Sequence, residues 1–268
     1  MSDLITLERP HDGVALVTMT NPKIQNFGSW EAIEALAAAL KQARESGARV
    51  SVLASGAPGH WYEHAWLTDL SATLKGKPAS GNPVCWFQAL SEITSLDVVT
   101  IAAVSGDCSG GGAELGWACD LRVAEEQARF GQPEVMIGVA TGIGGTSRVS
   151  RLIGRTATAE LVLDGAPMTA RRIYELGGVN RVVPAGRAVE VSVAWAQRLA
   201  SRPAGSLRAL KQMLADADNL HLKDALANEQ KLFQGVAGSD AASDGMARTQ
   251  ARFDAGESIR AVYGEPQE

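Results

Sequence analysis

Apolar residues recur along this chain in two patterns, and each pattern predicts a different kind of element. Short runs rich in valine, alanine and leucine predict buried strands at Val14–Met19, Val50–Ala54, Val98–Val104 and Leu121–Ala124. Between the first two runs, residues 29–46 carry apolar positions at helical spacing. Strands that alternate with helices are typical of an α/β fold.

Local residue chemistry predicts helix boundaries and one loop. Ser29 is a favourable N-cap residue, Glu31 follows it in the first turn, and Gly47 ends the predicted helix. Residues 71–83 are small, polar and marked by glycine and proline, so we expect a mobile loop there. A further helix is predicted to run to Leu96.

The C-terminal part of the chain differs in character. From about Pro203 onward the strand signal is lost, and we predict a core over residues 1–200 followed by a helical region over 201–268. The apolar positions at helical spacing are Leu207, Leu210, Leu214, Leu222, Leu226 and Phe233. Spacing alone leaves two roles open, because these helices could close the core of their own chain or pack on a neighbouring subunit.

Composition and charge exclude several classes of protein. Of 268 residues, 46% are hydrophobic and 21% charged, which is a globular balance that excludes a disordered chain. A net charge of −5 without a long basic run argues against a nucleic-acid binder. No apolar run is long enough to predict a membrane span, and no signal peptide is indicated. The three cysteines have no C-x-x-C spacing, so we expect reduced thiols in a cytoplasmic protein and no metal site.

The densest glycine lies in residues 106–115, after a predicted strand and before a predicted helix over Ala113–Cys119. A strand that passes through glycines into a helix presents free N–H groups and the positive end of the helix dipole, which together bind a phosphate or a developing oxyanion. The alternative is a tight turn that only needs close backbone approach. Glu114, directly behind the three glycines, favours the functional interpretation.

A second carboxylate, Glu134, opens an apolar stretch after Pro133. Two glutamates on separate turns could face one cavity and hold one water between them. Burial would raise the pKa values of both carboxyl groups, and their proximity would move the two pKa values apart, so that one group acts as a base and the other as an acid. More glycine follows at residues 142–146, but the spacing matches neither a Walker A loop nor a dinucleotide fingerprint.

Two other motifs compete for the chemistry. Cys108 stands in a G-x-C-x-G elbow typical of a thiol hydrolase, but the required downstream histidine is available only at His221, in the helical tail. His60, Glu63 and His64 form an H-x-x-E-H order known from zinc proteases. The flanking Pro-Gly and the bulky aromatic residues within it disfavour the long helix that zinc binding requires. We therefore expect both histidines to line or cap a pocket.

Taken together, these segments closely resemble the enoyl-CoA hydratase/isomerase (crotonase) superfamily. The resemblance extends over nearly the whole chain and is most specific over residues about 98–184. The segments that carry it are Ile101–Val104, Gly110–Leu115, Ala118–Ala124, Ala128–Glu134, Gly144–Thr146 and Gly177–Pro184, with Asn21-Pro22 and Asn26 near the N-terminus.

The resemblance implies repeated ββα units wound as a superhelix, with a C-terminal helical region used in trimerisation. It implies a homotrimer, or a hexamer of two trimers, an acyl-CoA thioester as substrate, and no cofactor or metal. Neither a nucleic acid nor a membrane is expected as a partner.

The resemblance also implies roles for individual residues. The backbone N–H groups of Gly111 and Glu63 would form an oxyanion hole for the thioester carbonyl. Glu114 and Glu134 would hold the water that is added across the α,β double bond, and a pair of glutamates favours a hydratase. The residues expected to contact the substrate are His64, Trp66, Gly110 and Gly142.

Residues 61–67 depart from the family pattern. The family usually has glycine and aspartate where this chain has His64 and Trp66. Added bulk and new titratable groups there keep a second hypothesis open, a hydrolase of the same fold that cleaves a thioester or a C–C bond of a β-diketone, with His64 or Glu134 as base. An enoyl-CoA isomerase and a non-catalytic acyl-CoA-binding subunit are the remaining alternatives.

Overall fold

The computed structural model describes residues 3–264. Its strands are β1 Ile5–His11, β2 Val14–Met19, β3 Phe27–Gly28, β4 Val50–Ser55, β5 Glu63–Ala65, β6 Val99–Val104, β7 Cys108–Ser109, β8 Leu121–Glu125, β9 Arg129–Gly131, β10 Met168–Thr169 and β11 Arg181–Val183. Its α-helices are α1 Trp30–Glu45, α2 Leu67–Leu74, α3 Cys85–Ile93, α4 Gly110–Ala118, α5 Ser147–Asp164, α6 Ala170–Glu175, α7 Ala188–Ala200, α8 Ala204–Asn219, α9 Leu222–Ala237, α10 Asp240–Asp254 and α11 Ile259–Tyr263. Short 3₁₀ turns lie at Pro22–Ile24 and Pro133–Ile137.

A six-stranded sheet forms the centre of the α/β unit, with the strand order β1-β2-β4-β6-β8-β11. Only the β1–β2 pair is antiparallel, and the other neighbours pair in parallel. All six residues of β6 are buried, and β4 is buried except at its last residue. Parallel strands covered on both faces have near-continuous apolar sequences, which is why these strands were predictable from sequence.

Two smaller sheets lie outside the main one. Strand β9 pairs with β7 and β10, and β3 pairs in parallel with β5. In the β3–β5 pair, Phe27 opposes Glu63 whereas Gly28 opposes Ala65, so the register shifts by one residue. Such a bulge redirects the backbone groups of the longer strand.

Helix α1 confirms the prediction for residues 29–46. Ser29 is its N-cap and accepts a hydrogen bond from the N–H of Ala32 at 3.3 Å. Its apolar face, which includes Ile33 and Leu36, is fully buried in the core. The helix extending to Leu96 was also predicted, and the structure ends it at Ile93.

The prediction of a loop over residues 71–83 is wrong for its first part, because α2 extends to Leu74. Hydrogen bonds to Asp69 hold the rest of this segment in place. The carboxylate of Asp69 accepts from the N–H of Trp30 at 3.0 Å and from the N–H and hydroxyl of Ser80 at 3.0 and 2.5 Å. Burial alone would raise the pKa of Asp69, but the hydrogen bonds from Ser80 and Trp30 hold it below its ordinary value.

Helix α4 begins at Gly110, three residues earlier than predicted. The glycines are therefore the first turn of the helix, and Glu114 lies in the turn that follows. Nearly every side chain of α4 is buried, so its sequence carries no amphipathic pattern that could have marked its start.

The chain divides into two compact units between Arg202 and Pro203. The first holds the sheets and α1–α7. The second holds α8–α11, and its described residues contain no strand. Across residues 3–264, no helix is both long enough and apolar enough to cross a membrane.

Candidate active site

A cavity of about 600 Å³ in the first unit brings both predicted glutamates together. Glu114 of α4 and Glu134 of the 3₁₀ turn both line it. The other residues that line it are Trp30, His64, Ala65, Leu67, Leu70, Thr73, Leu74, Pro83, Trp86, Phe87, Gly111, Pro133, Met136, Ile137, Val139, Ala140, Gly142 and Ile143. The cavity therefore combines two carboxyl groups with a mostly apolar wall.

The three glycines at the start of α4 are each required by a close neighbour. Gly110 has φ +46°, and a Cβ there would lie 2.6 Å from the Cβ of His64. A Cβ on Gly111 would lie 2.9 Å from the ring of Trp86, and one on Gly112 would collide with the backbone oxygen of Tyr62. The glycine run therefore lets α4 begin directly against the cavity, where Gly111 lines the wall.

Gly111 is the second residue of α4 after the N-cap, Ser109. An N–H in the first turn of a helix has no intrahelical partner, and the helix dipole places partial positive charge there. The side chain of Ser109 makes no capping hydrogen bond to this turn. Gly111 therefore offers a backbone donor at the cavity wall, and its role in an oxyanion hole stays a prediction.

Glu114 is only 2% exposed and is held by the second glycine-rich segment. Its Oε1 accepts from the N–H of Ile143 at 3.0 Å and from the N–H of Gly145 at 2.5 Å. Because both donors are backbone groups, they fix the orientation of the carboxyl group. Residues 142–146 thus position the carboxyl group of a catalytic candidate.

Glu134 is half-buried, and its Oε2 is buried without a hydrogen-bond partner among the described residues. Burial, followed by the charge of Glu114, raises the pKa of Glu134 from 4.5 to about 7. A carboxyl group with this pKa exchanges a proton near neutrality, as a general acid or base must.

The predicted role of the Glu63 N–H is wrong. This N–H donates to the backbone oxygen of Asn26 at 3.1 Å, as part of the β3–β5 pair, and is not available to a ligand. The N–H of Trp66 likewise donates to Gly28 O at 3.0 Å. Ala65, between these two donors and just after the bulge, lines the cavity, and sequence reasoning missed it.

The remaining predicted contact residues divide into two groups. His64 and Gly142 line the cavity. Trp66 and Gly110 are not among the described residues that line it, because the Trp66 ring lies against Phe27 at 5.9 Å and Gly110 has its space filled by His64. The imidazole of His64 is itself fixed, with Nδ1 2.8 Å from the backbone oxygen of Ala65.

The apolar wall was also missed by sequence reasoning. The rings of Trp30 and Trp86 meet edge to face at 6.1 Å, and Leu70 and Phe87 lie on the same wall. The available signal was the position of both tryptophans at the starts of helices α1 and α3. Among the described residues that line the cavity there is no lysine and no arginine.

The two competing motifs do not form active sites. Cys108 is 2% exposed, and burial, followed by the charges of Glu63 and Asp107, raises the pKa of its thiol well above the ordinary value. A nucleophilic cysteine needs the opposite shift. Within residues 3–264, no group of three potential ligands could hold a metal ion. His60 instead pairs with Glu63, at 2.8 Å between Nδ1 and Oε1.

The model of one protein family matches residues 9–254, and its description is enoyl-CoA hydratase/isomerase. The chain belongs to this family. The resemblance seen in the sequence is thereby confirmed, and the match includes both glutamates and the residues of the cavity.

Relatives in the family carry hydratase names. The Escherichia coli protein named 2,3-dehydroadipyl-CoA hydratase is 34% identical over 66% of this chain and 67% of its own length. The Mycobacterium bovis protein named "Probable enoyl-CoA hydratase echA8" is 35% identical over 60% of this chain. The matched stretch spans 63% of the length of that relative.

Solved structures share the fold over nearly the full chain. An enoyl-CoA hydratase from Bacillus anthracis superposes with a TM-score of 0.83 at 25% identity, covering 93% of this chain and 97% of that one. An enoyl-CoA hydratase from Thermoplasma volcanium superposes with a TM-score of 0.77 at 24% identity, covering 92% and 97%. The predicted crotonase-like α/β fold, with helices at the C-terminal end, is confirmed.

Proposed function

We propose that this protein is an enoyl-CoA hydratase, which adds water across the α,β double bond of a 2-enoyl-CoA thioester with an apolar acyl group. The observation that carries the proposal is the presence of Glu114 and Glu134 in one cavity with the first turn of α4. Two carboxyl groups beside a backbone donor supply a base, an acid and a site for the developing negative charge.

Each glutamate has its own step in this mechanism. Glu114, held by two backbone donors, accepts a proton from the water whose oxygen bonds to the β-carbon of the substrate. The electron pair of the double bond moves toward the thioester, which becomes an enolate. Glu134, with its pKa raised to about 7, holds a proton near neutral pH and delivers it to the α-carbon. Proton exchange through solvent then restores both groups.

The enolate oxygen would lie between two backbone donors. Gly111 supplies one from the first turn of α4, where the helix dipole adds to the hydrogen bond. For the other we propose the N–H of Ala65 in place of Glu63, because Ala65 lines the cavity after the bulge. Both proton transfers and the charge stabilisation then come from this chain, and the proposed reaction uses no cofactor or metal.

The wall of the cavity indicates an acyl group without charge. Trp30, Leu70, Trp86 and Phe87 present rings and methyl groups, and the described lining contains no lysine or arginine to pair with a carboxylate. Burying an unpaired carboxylate against such a wall is strongly unfavourable. The proposed substrate therefore differs from the 2,3-dehydroadipyl-CoA in the name of the Escherichia coli relative, because a dehydroadipyl group ends in a carboxylate.

The second unit supports assembly into a homotrimer or a hexamer. Leu210, Leu214, Leu222, Leu226 and Phe233 are all exposed within the single chain, at 51–75% of their surface. Large apolar side chains that are exposed at helical spacing on α8 and α9 are typical of an interface. A second copy of the chain is the proposed partner, and sedimentation of the purified protein measures the assembly. The three cysteines are buried and no disulfide bond joins them, which fits the reducing cytoplasm, the proposed location.

The experiment that tests the function is a panel of 2-enoyl-CoA esters followed by the loss of enoyl absorbance. We expect turnover of apolar substrates such as crotonyl-CoA and longer alkyl or aryl homologues. For 2,3-dehydroadipyl-CoA we expect kcat/KM at least about a hundredfold lower, since an unpaired buried charge costs several kcal/mol. Hydrolysis of the thioester or of a β-diketone, with no hydration of any enoyl-CoA, would contradict the proposal.

A further inference from the structure

The side chain of Glu63 lies behind the cavity in a hydrogen-bonded cluster that the proposed mechanism does not use. Glu63 as a whole is only 7% exposed and is not among the described residues that line the cavity. Oε1 lies 2.8 Å from Nδ1 of His60, and Oε2 accepts from the hydroxyl of Ser109 at 2.5 Å. Burial of a carboxylate is costly, so a buried carboxylate that two side chains hold in place needs an explanation.

Ser109 is the N-cap of α4, and its hydroxyl is directed away from the helix. A serine at this position ordinarily accepts from the N–H of the second or third helical residue. The second helical residue of α4 is Gly111, the proposed oxyanion donor. The Ser109 side chain makes no such bond, because Oγ donates to Glu63 and accepts from the N–H of His64 at 3.2 Å.

The N–H of Gly111 can therefore have one of two partners. If Ser109 capped the helix in the ordinary way, its oxygen would compete with the substrate oxygen for the same first-turn N–H groups. Glu63 removes this competition, since a charged acceptor holds a hydroxyl more strongly than a neutral peptide donor does. His60 orients the carboxylate for this contact through Oε1.

We infer that Glu63 is a positioning residue, which holds the Ser109 hydroxyl away from the first turn of α4 and so keeps the Gly111 N–H available to the thioester oxygen. The inference rests on the proposed function for its kinetic consequences. It assigns a role to a residue directly before His64, within the segment 61–67 that departs from the family pattern.

The test is a double-mutant cycle in which the second substitution should restore the activity that the first one removes. Glu63→Ala releases Ser109 to cap the helix, and we expect kcat to fall by about tenfold to a hundredfold with KM changed by less than about threefold, because one oxyanion donor is lost. Ser109→Ala alone should retain kcat within about threefold. In Glu63→Ala/Ser109→Ala, where no hydroxyl can cap, kcat should recover to the value of Ser109→Ala.

Other outcomes overturn the inference. If the double variant is as slow as Glu63→Ala, or if Ser109→Ala alone is equally slow, the cluster is a structural tie between β5 and α4. Unchanged kcat in Glu63→Ala also contradicts it. Glu63→Gln, which keeps an acceptor for Ser109, should retain more activity than Glu63→Ala. Where Glu63→Ala does not fold, Glu63→Met, which is closer in volume, replaces it in the cycle.

A matched control and a second readout separate this inference from the proposed function. Glu125 is a buried glutamate outside the described cavity lining, with Oε1 accepting from the N–H of Ala188 at 3.1 Å, and Glu125→Ala should change stability but leave kcat within about threefold. The carbonyl stretch of bound butyryl-CoA, measured by difference infrared spectroscopy, should shift to lower frequency in the wild type. The shift should be smaller in Glu63→Ala, where only the Ala65 donor remains, and should be regained in the double variant, even if no enoyl-CoA is turned over.

Discussion

The raised pKa of Glu134 leads to a prediction that links activity to stability. Burial disfavours the ionised carboxylate, and the pKa lies at about 7 in the folded chain against an ordinary 4.5. The stability that the protonated form contributes is therefore fully present below pH 4.5 and is lost as the pH rises through about 7. Glu134→Gln removes this ionisation, so the variant should be more stable than the wild type above neutrality.

The size of this effect follows from the same shift. A rise from 4.5 to about 7 corresponds to roughly 3 kcal/mol at 1.36 kcal/mol for each tenfold change. Because Glu134 is partly exposed, solvent screening reduces the expected gain to about 2 kcal/mol. In the wild type, kcat/KM should fall as the pH rises above about 7, because the protonated form of Glu134 is the active acid.

The assay is urea unfolding of the wild type and Glu134→Gln at two pH values, near 5 and near 8. The variant should gain about 2 kcal/mol over the wild type near pH 8, with a clearly smaller gain near pH 5. Its hydration rate should fall by about a hundredfold or more. A variant that is less stable than the wild type near pH 8 would refute the claim that the fold penalises the ionised carboxylate.

Three further substitutions test separate parts of the site. Gly112→Ala should destabilise the fold by about 3 kcal/mol or more in urea unfolding, since its Cβ would meet backbone; an unaffected variant would show that α4 can shift. Asp69→Asn should raise KM several-fold in kinetics and should lower the hydrogen-exchange protection of the segment around Ser80. Protection equal to that of the wild type would show that Asp69 does not hold this segment in place. Cys108→Ala should retain kcat within about threefold, and complete loss of activity would revive the thiol hydrolase.

The fold was predictable where the sequence pattern has a local cause. Strands β4 and β6 are buried on both faces, and their sequences are therefore apolar at nearly every position. Helix α1 has an amphipathic face and a side-chain cap, which are both visible in sequence. Helix α4 has neither, because it is buried on all sides and begins with glycines, and its start was placed three residues late.

The candidate site was predictable in its chemistry and less so in its geometry. Glu114 and Glu134 stand in recognisable segments, and the structure brings them into one cavity. The Glu63 N–H was assigned wrongly, because a bulge between β3 and β5 decides which backbone groups of this strand pair internally. The register of two short strands depends on contacts between residues far apart in the chain, and no local pattern encodes it.

The apolar wall depends on tertiary contacts in the same way. Trp30 and Trp86 lie far apart in sequence and meet only because α1 and α3 pack together. Asp69 converts part of a glycine- and proline-marked stretch into a fixed segment by binding Ser80. Composition predicted a mobile loop there because it does not report such long-range hydrogen bonds.

The most direct test of the account is the rate of crotonyl-CoA hydration in the wild type, Glu114→Gln and Glu134→Gln, with the unfolding free energy of each measured alongside. We expect hydration by the wild type and a loss of about a hundredfold or more in each folded variant, because each glutamate carries one proton transfer. Hydration at the wild-type rate in either variant would contradict the two-glutamate mechanism.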